Sequence, residues 1–197
     1  MSQHRLLRLE EVNTTTSRYL DGLAEARDLL DIEGCERAIS LVLDSLLSNS
    51  LVLTCGNGGS GSNASHFVND WVKGVSNLVK SKPKAICLND NIPSITAIAN
   101  DSDFSHIFSS QLSNLGSPGD LLVAISGSGN SKNILAAINQ AKRQGIKVVG
   151  VLGFDGGAAL NLVDEAFWVP FNDMQIVEDL HSSFGHMVLK MAENYAH

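Results

Sequence analysis

The sequence predicts an α/β protein built on a five-stranded parallel sheet with helices on both faces, preceded by a helical N-terminal segment. Three observations carry this. Five short apolar runs recur along the chain, helix-like patterns separate them, and the runs are apolar throughout rather than alternating with polar residues. A strand covered on both faces reads as a continuous apolar run because neither side meets water, and strands that alternate with helices pair in parallel.

The elements follow in order. Residues about 8–31 form a first helix that is polar, with NTTTSRY near its start, and suited to packing on something other than a complete core. Residues 34–48 form a second, with Ile39, Leu43, Leu46 and Leu47 on one stripe. The strand-like runs are LVLTC (51–55), KAICL (84–88), DLLVAIS (120–126), KVVGVLG (147–153) and EAFWVPF (165–171). Between the third and fourth runs, SKNILAAINQAKRQG reads as a helix closed by Gly145. The segment QIVEDLHSSFGHMVLKMAENY is a long final helix with Ile176, Leu180, Met187, Leu189 and Met191 as apolar positions. No internal repeat is evident.

A chain of 197 residues is enough for one α/β domain with a real core and too short for two comfortable ones. Fourteen Lys and Arg against 21 Asp and Glu give a net charge of −7 with no basic stripe. Nucleic acid is therefore not an expected partner, since binding its backbone needs clustered cations. A small anion is still allowed, because backbone amides can hold it without net positive charge. Cys35, Cys55 and Cys87 form no CxxC pair, which fits small buried residues in a reducing compartment better than a zinc ribbon or a disulfide framework. No run approaches a membrane span and MSQHRLLRLEEV has no apolar signal core, so a cytoplasmic protein without a membrane partner is expected.

Ligands of open parallel sheets bind beyond the carboxyl ends of the strands. Two strand ends carry loops of one chemistry, CGNGGSGSN after the first strand and SGSGNS (126–131) after the third, and each opens a helix. Glycine lets backbone N–H groups approach an anion, the hydroxyls of Ser60, Ser126, Ser128 and Ser131 add donors, and helix N-termini add partial positive charge. Each loop alone could be a mere turn. Together they point to a phosphate cradle, though not a Walker loop, since no GKS or GKT follows. His66 and Asp70 lie at i and i+4 on the helix leaving the first loop, and the final helix offers Glu178, Asp179, His181 and His186. Carboxylate plus imidazole on both helices suits either a divalent metal or an acid–base couple, and spacing alone does not choose.

The motifs CGNGGSGSNASHF, AIAND, ISGSGNSKNIL, GIKVVGVLGFDGG and EDLHSSFGHMV together resemble the sugar isomerase (SIS) domain family, and within it the phosphoheptose isomerases. The resemblance implies a flavodoxin-like three-layer sandwich, with residues 1–33 as a helical oligomerisation arm and 34–197 as the phosphosugar-binding SIS domain. It implies a homotetramer with active sites built between subunits, acting on a sugar 7-phosphate in heptose biosynthesis, as for lipopolysaccharide. Substrate contacts map to Asn57, Gly58, Gly59, Ser60, Asp101, Ser126, Gly127, Ser128, Ser131 and Glu178. Catalytic roles map to Asp70, His186 and Glu178, and a zinc ion to His66, Asp70, Glu178 and His186. Two positions depart from the family pattern: Asp70 stands where a glutamate is usual, and Glu178 where a glutamine is usual. These substitutions leave open an isomerase of another phosphosugar, with a non-catalytic phosphosugar-binding protein as the further alternative.

Overall fold

The computed structural model describes residues 9–79 and 82–196. Strands β1 (Leu51–Gly56), β2 (Lys84–Cys87), β3 (Leu121–Ser126), β4 (Lys147–Gly153) and β5 (Glu165–Val169) form one sheet in the order β2-β1-β3-β4-β5. All four pairings are parallel. Every residue of the central β3 is buried, which its unbroken apolar run requires. The chain leaves β1 for β2 on one side and crosses to β3 on the other. The ends of β1 and β3 therefore part at a topological switch point, where a crevice opens in this strand order. β5 stops at Val169, short of the expected 171, because Pro170 has no N–H to donate to a ladder.

Among the described residues seven α-helices surround the sheet: α1 (Leu9–Asp28), α2 (Ile32–Leu47), α3 (Gly59–Val79), α4 (Ile92–Asp101), α5 (Ser109–Leu115), α6 (Lys132–Arg143) and α7 (Met174–Tyr195). One face buries α2, α3 and α7 through residues such as Val42, Phe67, Trp71, Phe184 and Val188. The other buries α5 and α6 through Leu112, Ile134, Ala137 and Ile138. Gly145, at φ +69°, closes α6 as expected: its N–H reaches the Lys142 carbonyl at 3.3 Å and the Ile146 N–H reaches Ala141 at 3.0 Å. The polar α1 lies on α7, where the Tyr19 hydroxyl donates to Asp179 Oδ2 at 2.8 Å and is held up to about pKa 12 by that carboxylate. Residues 1–8 of the expected arm lie outside the described residues. The three cysteines are buried free thiols, and burial pushes Cys35 up to about 11. Among the described residues no helix is long and apolar enough to cross a membrane.

His181 of α7 is fully buried and neither ring nitrogen has a hydrogen-bond partner among the described residues. Burial holds its pKa down to about 4. In the unfolded chain the imidazole titrates near 6.5, so acid favours unfolding. The stability it allows is complete above about pH 6.5 and is lost as pH falls towards 4. At about 1.4 kcal/mol per pH unit, the loss is on the order of 3 kcal/mol. Urea unfolding at pH 7.5 and pH 4.5 should show this loss, and His181→Leu should flatten the difference. An unchanged pH dependence in that variant would exclude His181 as its source.

Candidate active site

The cleft lies where the loops after β1 and β3 meet. It is lined by Asn57, Ser60, Ser126, Ser128, Ser131 and Glu178, together with Ile125, Gly127 and Met174, and encloses about 150 Å³. That is less than a whole drug-sized ligand needs, so the cleft fits an anchor for one end of a larger ligand. The N-termini of α3 and α6 both open here, bringing unpaired backbone N–H groups and partial positive charge to one place. Ser131 is the N-cap of α6 but its side chain makes no capping bond, which leaves that hydroxyl to the cleft.

Both loops are braced from behind. The Asn89 side chain clamps Gly56 at the end of β1, its Nδ2 donating to the Gly56 carbonyl at 2.7 Å and its Oδ1 accepting the Gly56 N–H at 3.2 Å. In the second loop the Gly129 N–H donates to Ser126 Oγ at 3.1 Å. The segment Gly153–Ala159 lies against this loop: Gly153 N–H reaches the Gly127 carbonyl and Ala159 N–H that of Gly129, both at 3.0 Å. Asn130 Oδ1 accepts from the Ala158 N–H at 3.0 Å. These bonds fix the loop amides before any ligand arrives, so little ordering entropy remains to be lost on binding.

Farther along α3, His66 and Asp70 face α7. His66 Nε2 lies 3.3 Å from Asp70 Oδ2 and 3.3 Å from His186 Nε2, and His186 Nε2 is 3.8 Å from Asp70 Oδ2. The three ligand atoms all fall within 4.8 Å of one another, making a group that could hold a metal ion. Asp70 Oδ1 accepts from Asn69 Nδ2 at 3.1 Å. The convergence depends on how closely the two helices cross. Gly185, next to His186, packs on the Phe67 ring, where an added Cβ would overlap Phe67 Cδ1. Its carbonyl accepts from Trp71 Nε1 at 3.1 Å. Phe67, Trp71, Phe184 and Phe167 form the aromatic cluster beneath. Gly185→Val must push the helices apart. It should lower stability by roughly 1–3 kcal/mol, an overpacking cost, and weaken any metal binding by separating His186 from His66. Calorimetry and metal titration on this variant would check both effects.

The expected site residues are thus divided between two places. Asn57, Ser60, Ser126, Gly127, Ser128, Ser131 and Glu178 line the cleft, and beside it stand the exposed Gly58, in the turn, and Gly59, the first residue of α3. His66, Asp70 and His186 gather on the α3–α7 crossing. Glu178 does not join them. It sits eight residues before His186, about 12 Å along the helix, with its carboxylate against Gly59. Asp101 ends α4 on the exposed side, pairs with Asn100 Nδ2 at 2.8 Å and does not line the cleft.

Sequence reading missed Asn89, Asn133, Gly185 and the Gly153–Ala159 brace. Only Gly185 carried a signal, as an isolated glycine inside a helical pattern that implies close packing. A roomier groove of about 660 Å³ lies between α2 and the sheet edge, but Glu33, Glu36, Asp44, Asp164 and Glu165 outnumber Arg37 and Lys147 there, Arg37 is paired with Glu165, and neither glycine loop reaches it. That groove does not suit an anion.

A model of the SIS domain matches residues 18–153. The phosphoheptose isomerase of Helicobacter pylori (strain ATCC 700392 / 26695) is 36% identical over 181 residues, which are 91% of this chain and 90% of that protein. That of Rhodospirillum rubrum is 36% identical over 157 residues, 80% and 83% of the two chains. Among solved structures, a phosphoheptose isomerase from Neisseria gonorrhoeae superposes with a TM-score of 0.82 at 30% identity, covering 94% of this chain and 98% of its own. One from Francisella tularensis gives 0.82 at 29% identity, covering 96% and 100%. The family model spans the β1 and β3 loops and the relatives cover most of the chain: this protein belongs to the SIS domain family.

Proposed function

We propose that the chain is an aldose–ketose isomerase that converts sedoheptulose 7-phosphate to D-glycero-D-manno-heptose 7-phosphate. One observation carries this reading more than any other: a single helix, α3, begins in the anion cleft and presents His66 and Asp70 two to three turns later, beside His186. Seven residues of helix from Gly59 to His66 advance about 10 Å. With C–C bonds of about 1.5 Å, a seven-carbon sugar extends its phosphate about 10 Å from carbons 1 and 2. A triose phosphate is far too short. The named relatives are phosphoheptose isomerases, which agrees with this length.

In the proposed reaction the cleft holds the phosphate through backbone N–H groups and the hydroxyls of Ser60, Ser126, Ser128 and Ser131. Asp70 takes a proton from carbon 1, leaving an enediolate, and returns it at carbon 2. His186, when its Nε2 is not committed to a metal, gives a proton to the carbonyl oxygen and recovers one from the carbon 1 hydroxyl. Glu178 contacts the sugar from the cleft and is the alternative base if Asp70 stays committed to a metal. Asp101 would meet substrate only if another subunit brings a second cleft to it.

The residues present fit a zinc-class ion. Bonds of about 2.0–2.2 Å in a tetrahedral site place ligand atoms about 3.3–3.6 Å apart, close to the 3.3, 3.3 and 3.8 Å among His66, Asp70 and His186. Three protein ligands leave a position open to substrate, as catalytic zinc sites do. When bound, the ion would stabilise negative charge on the enediolate oxygens. Glu178, set apart in the cleft, is assigned to substrate. Protein purified without chelator is expected to contain about one zinc per chain, and His66→Ala should lose it. Metal-free protein with full activity would remove the ion from the mechanism.

We also propose a homotetramer with shared sites, residues 1–33 serving as the arm, in the cytoplasm and without nucleic-acid or membrane partners. His66 and His186 are 48% and 59% exposed, so the group lies open on a side that another copy would cover. Leu20, Ile92 and Phe104 are 59%, 61% and 56% exposed, which a monomer would leave in water. Sedimentation at micromolar concentration should show four chains; a monomer would end the shared-site reading. The shorter Asp70 carboxylate also favours a second reading, isomerisation of another long-chain phosphosugar, which a substrate panel would separate.

A further inference from the structure

Asn133 is an unusual residue for its place. It lies in the first turn of α6, is 2% exposed, and belongs to a type that prefers turns and caps to buried helix. A buried amide is tolerated only when its hydrogen bonds are made. Here they are made to the other loop of the cleft. Asn133 Nδ2 donates to Asn57 Oδ1 at 2.7 Å, and Asn57 Nδ2 donates back to Asn133 Oδ1 at 2.8 Å. Asn133 Oδ1 also accepts from the Ile134 N–H at 3.0 Å.

That third bond settles the orientation of the pair. A backbone N–H can only donate, so the atom facing Ile134 must be the Asn133 oxygen. The Asn133 nitrogen then faces Asn57, and the Asn57 carbonyl must turn towards it. Asn57 is left with one further amide N–H, on a side chain that lines the cleft. A flipped Asn57 would set its own NH₂ against that of Asn133. The fold thus uses a helix backbone group to decide, through two side chains, that the first loop offers the cleft a donor.

We propose that Asn133 is a positioning residue for anion binding: it couples the two loops and fixes Asn57 with a donor available to the substrate phosphate or its neighbouring oxygen. Asn133 need not touch the ligand. Without it Asn57 is free to rotate, and the β1 and β3 loops lose their direct side-chain link. The effect falls on binding in ground and transition states alike, so it appears in KM more than in kcat.

This inference rests on the phosphate-cleft reading above, and the test separates the two. Binding of inorganic phosphate and of sedoheptulose 7-phosphate is measured by calorimetry on the wild type, Asn57→Ala, Asn133→Ala and the double variant, with KM and kcat for each. Asn133→Ser is included because it keeps an oxygen for the Ile134 N–H but is too short to reach Asn57. Losing an oriented donor to an anion should weaken binding about tenfold or more and raise KM to match. The double variant should be no weaker than Asn57→Ala alone, since both changes remove one device. Wild-type affinity in Asn133→Ala and Asn133→Ser would overturn the proposal, as would fully additive losses in the double variant. Failure of both Asn133 variants to fold would make it a stability residue and contradict the positioning role. If the wild type binds neither probe, the phosphate-cleft reading falls first and takes this one with it.

Discussion

Asp70→Asn is expected to reduce turnover of sedoheptulose 7-phosphate by about a hundredfold to ten-thousandfold, the range a positioned general base supplies. The amide is nearly isosteric with the carboxylate, so shape is preserved, but it cannot accept the carbon 1 proton. It also places an NH₂ or a weak carbonyl oxygen where Oδ2 now meets two imidazoles at 3.3 and 3.8 Å. The side chain is 22% exposed on the rim of the helix crossing, and the packing beneath comes from Phe67, Trp71 and Phe184, so the melting temperature should hardly move. Glu178→Gln distinguishes the alternative base: if it, and not Asp70→Asn, abolishes turnover, the carboxylate in the cleft takes the proton. Asp70→Glu probes the chain's departure from its family. A gain in heptose isomerisation would mean that the shorter side chain serves another phosphosugar, whereas a loss would mean that it is matched to this site.

His186→Ala should lower kcat by at least about a hundredfold, because the proposed general acid disappears. It should also lower metal content, since one of three clustered ligand atoms is removed. Stability should be largely spared. His186 is 59% exposed, and the helix crossing is held by Gly185 and the Trp71 Nε1 bond to the Gly185 carbonyl rather than by the imidazole. Parallel steady-state kinetics, elemental analysis and calorimetry separate these effects. Wild-type kcat with full metal would remove His186 from the chemistry.

The sheet was legible because burial on both faces leaves a compositional trace: residues 147–153 were expected as a strand and form β4 with those bounds. The cleft was legible for a related reason. Glycine and serine between strand and helix have a local cause, and both such loops line it. The convergence of His66, Asp70 and His186 was not readable from spacing, because 120 residues separate the two histidines. What joins them is the bare surface of Gly185 on the Phe67 ring, a contact with no local pattern. The distance of Glu178 from that group is likewise a matter of geometry: it stands eight residues before His186, about 12 Å along α7, with its carboxylate turned to Gly59. Asn133 was passed over because a buried amide looks like any other polar residue until its partner in another loop is known.

The most direct test of the isomerase reading is to incubate the purified protein with sedoheptulose 7-phosphate in D₂O and follow the sugar by NMR. The proposed mechanism predicts the aldose 7-phosphate as product, with deuterium entering at carbon 2 to the extent that the transferred proton exchanges with solvent. Asp70→Asn should show neither product nor label. Binding of the sugar phosphate by the unmodified protein with no isomer and no deuterium incorporation would contradict the enzyme reading and leave a phosphosugar-binding protein in its place.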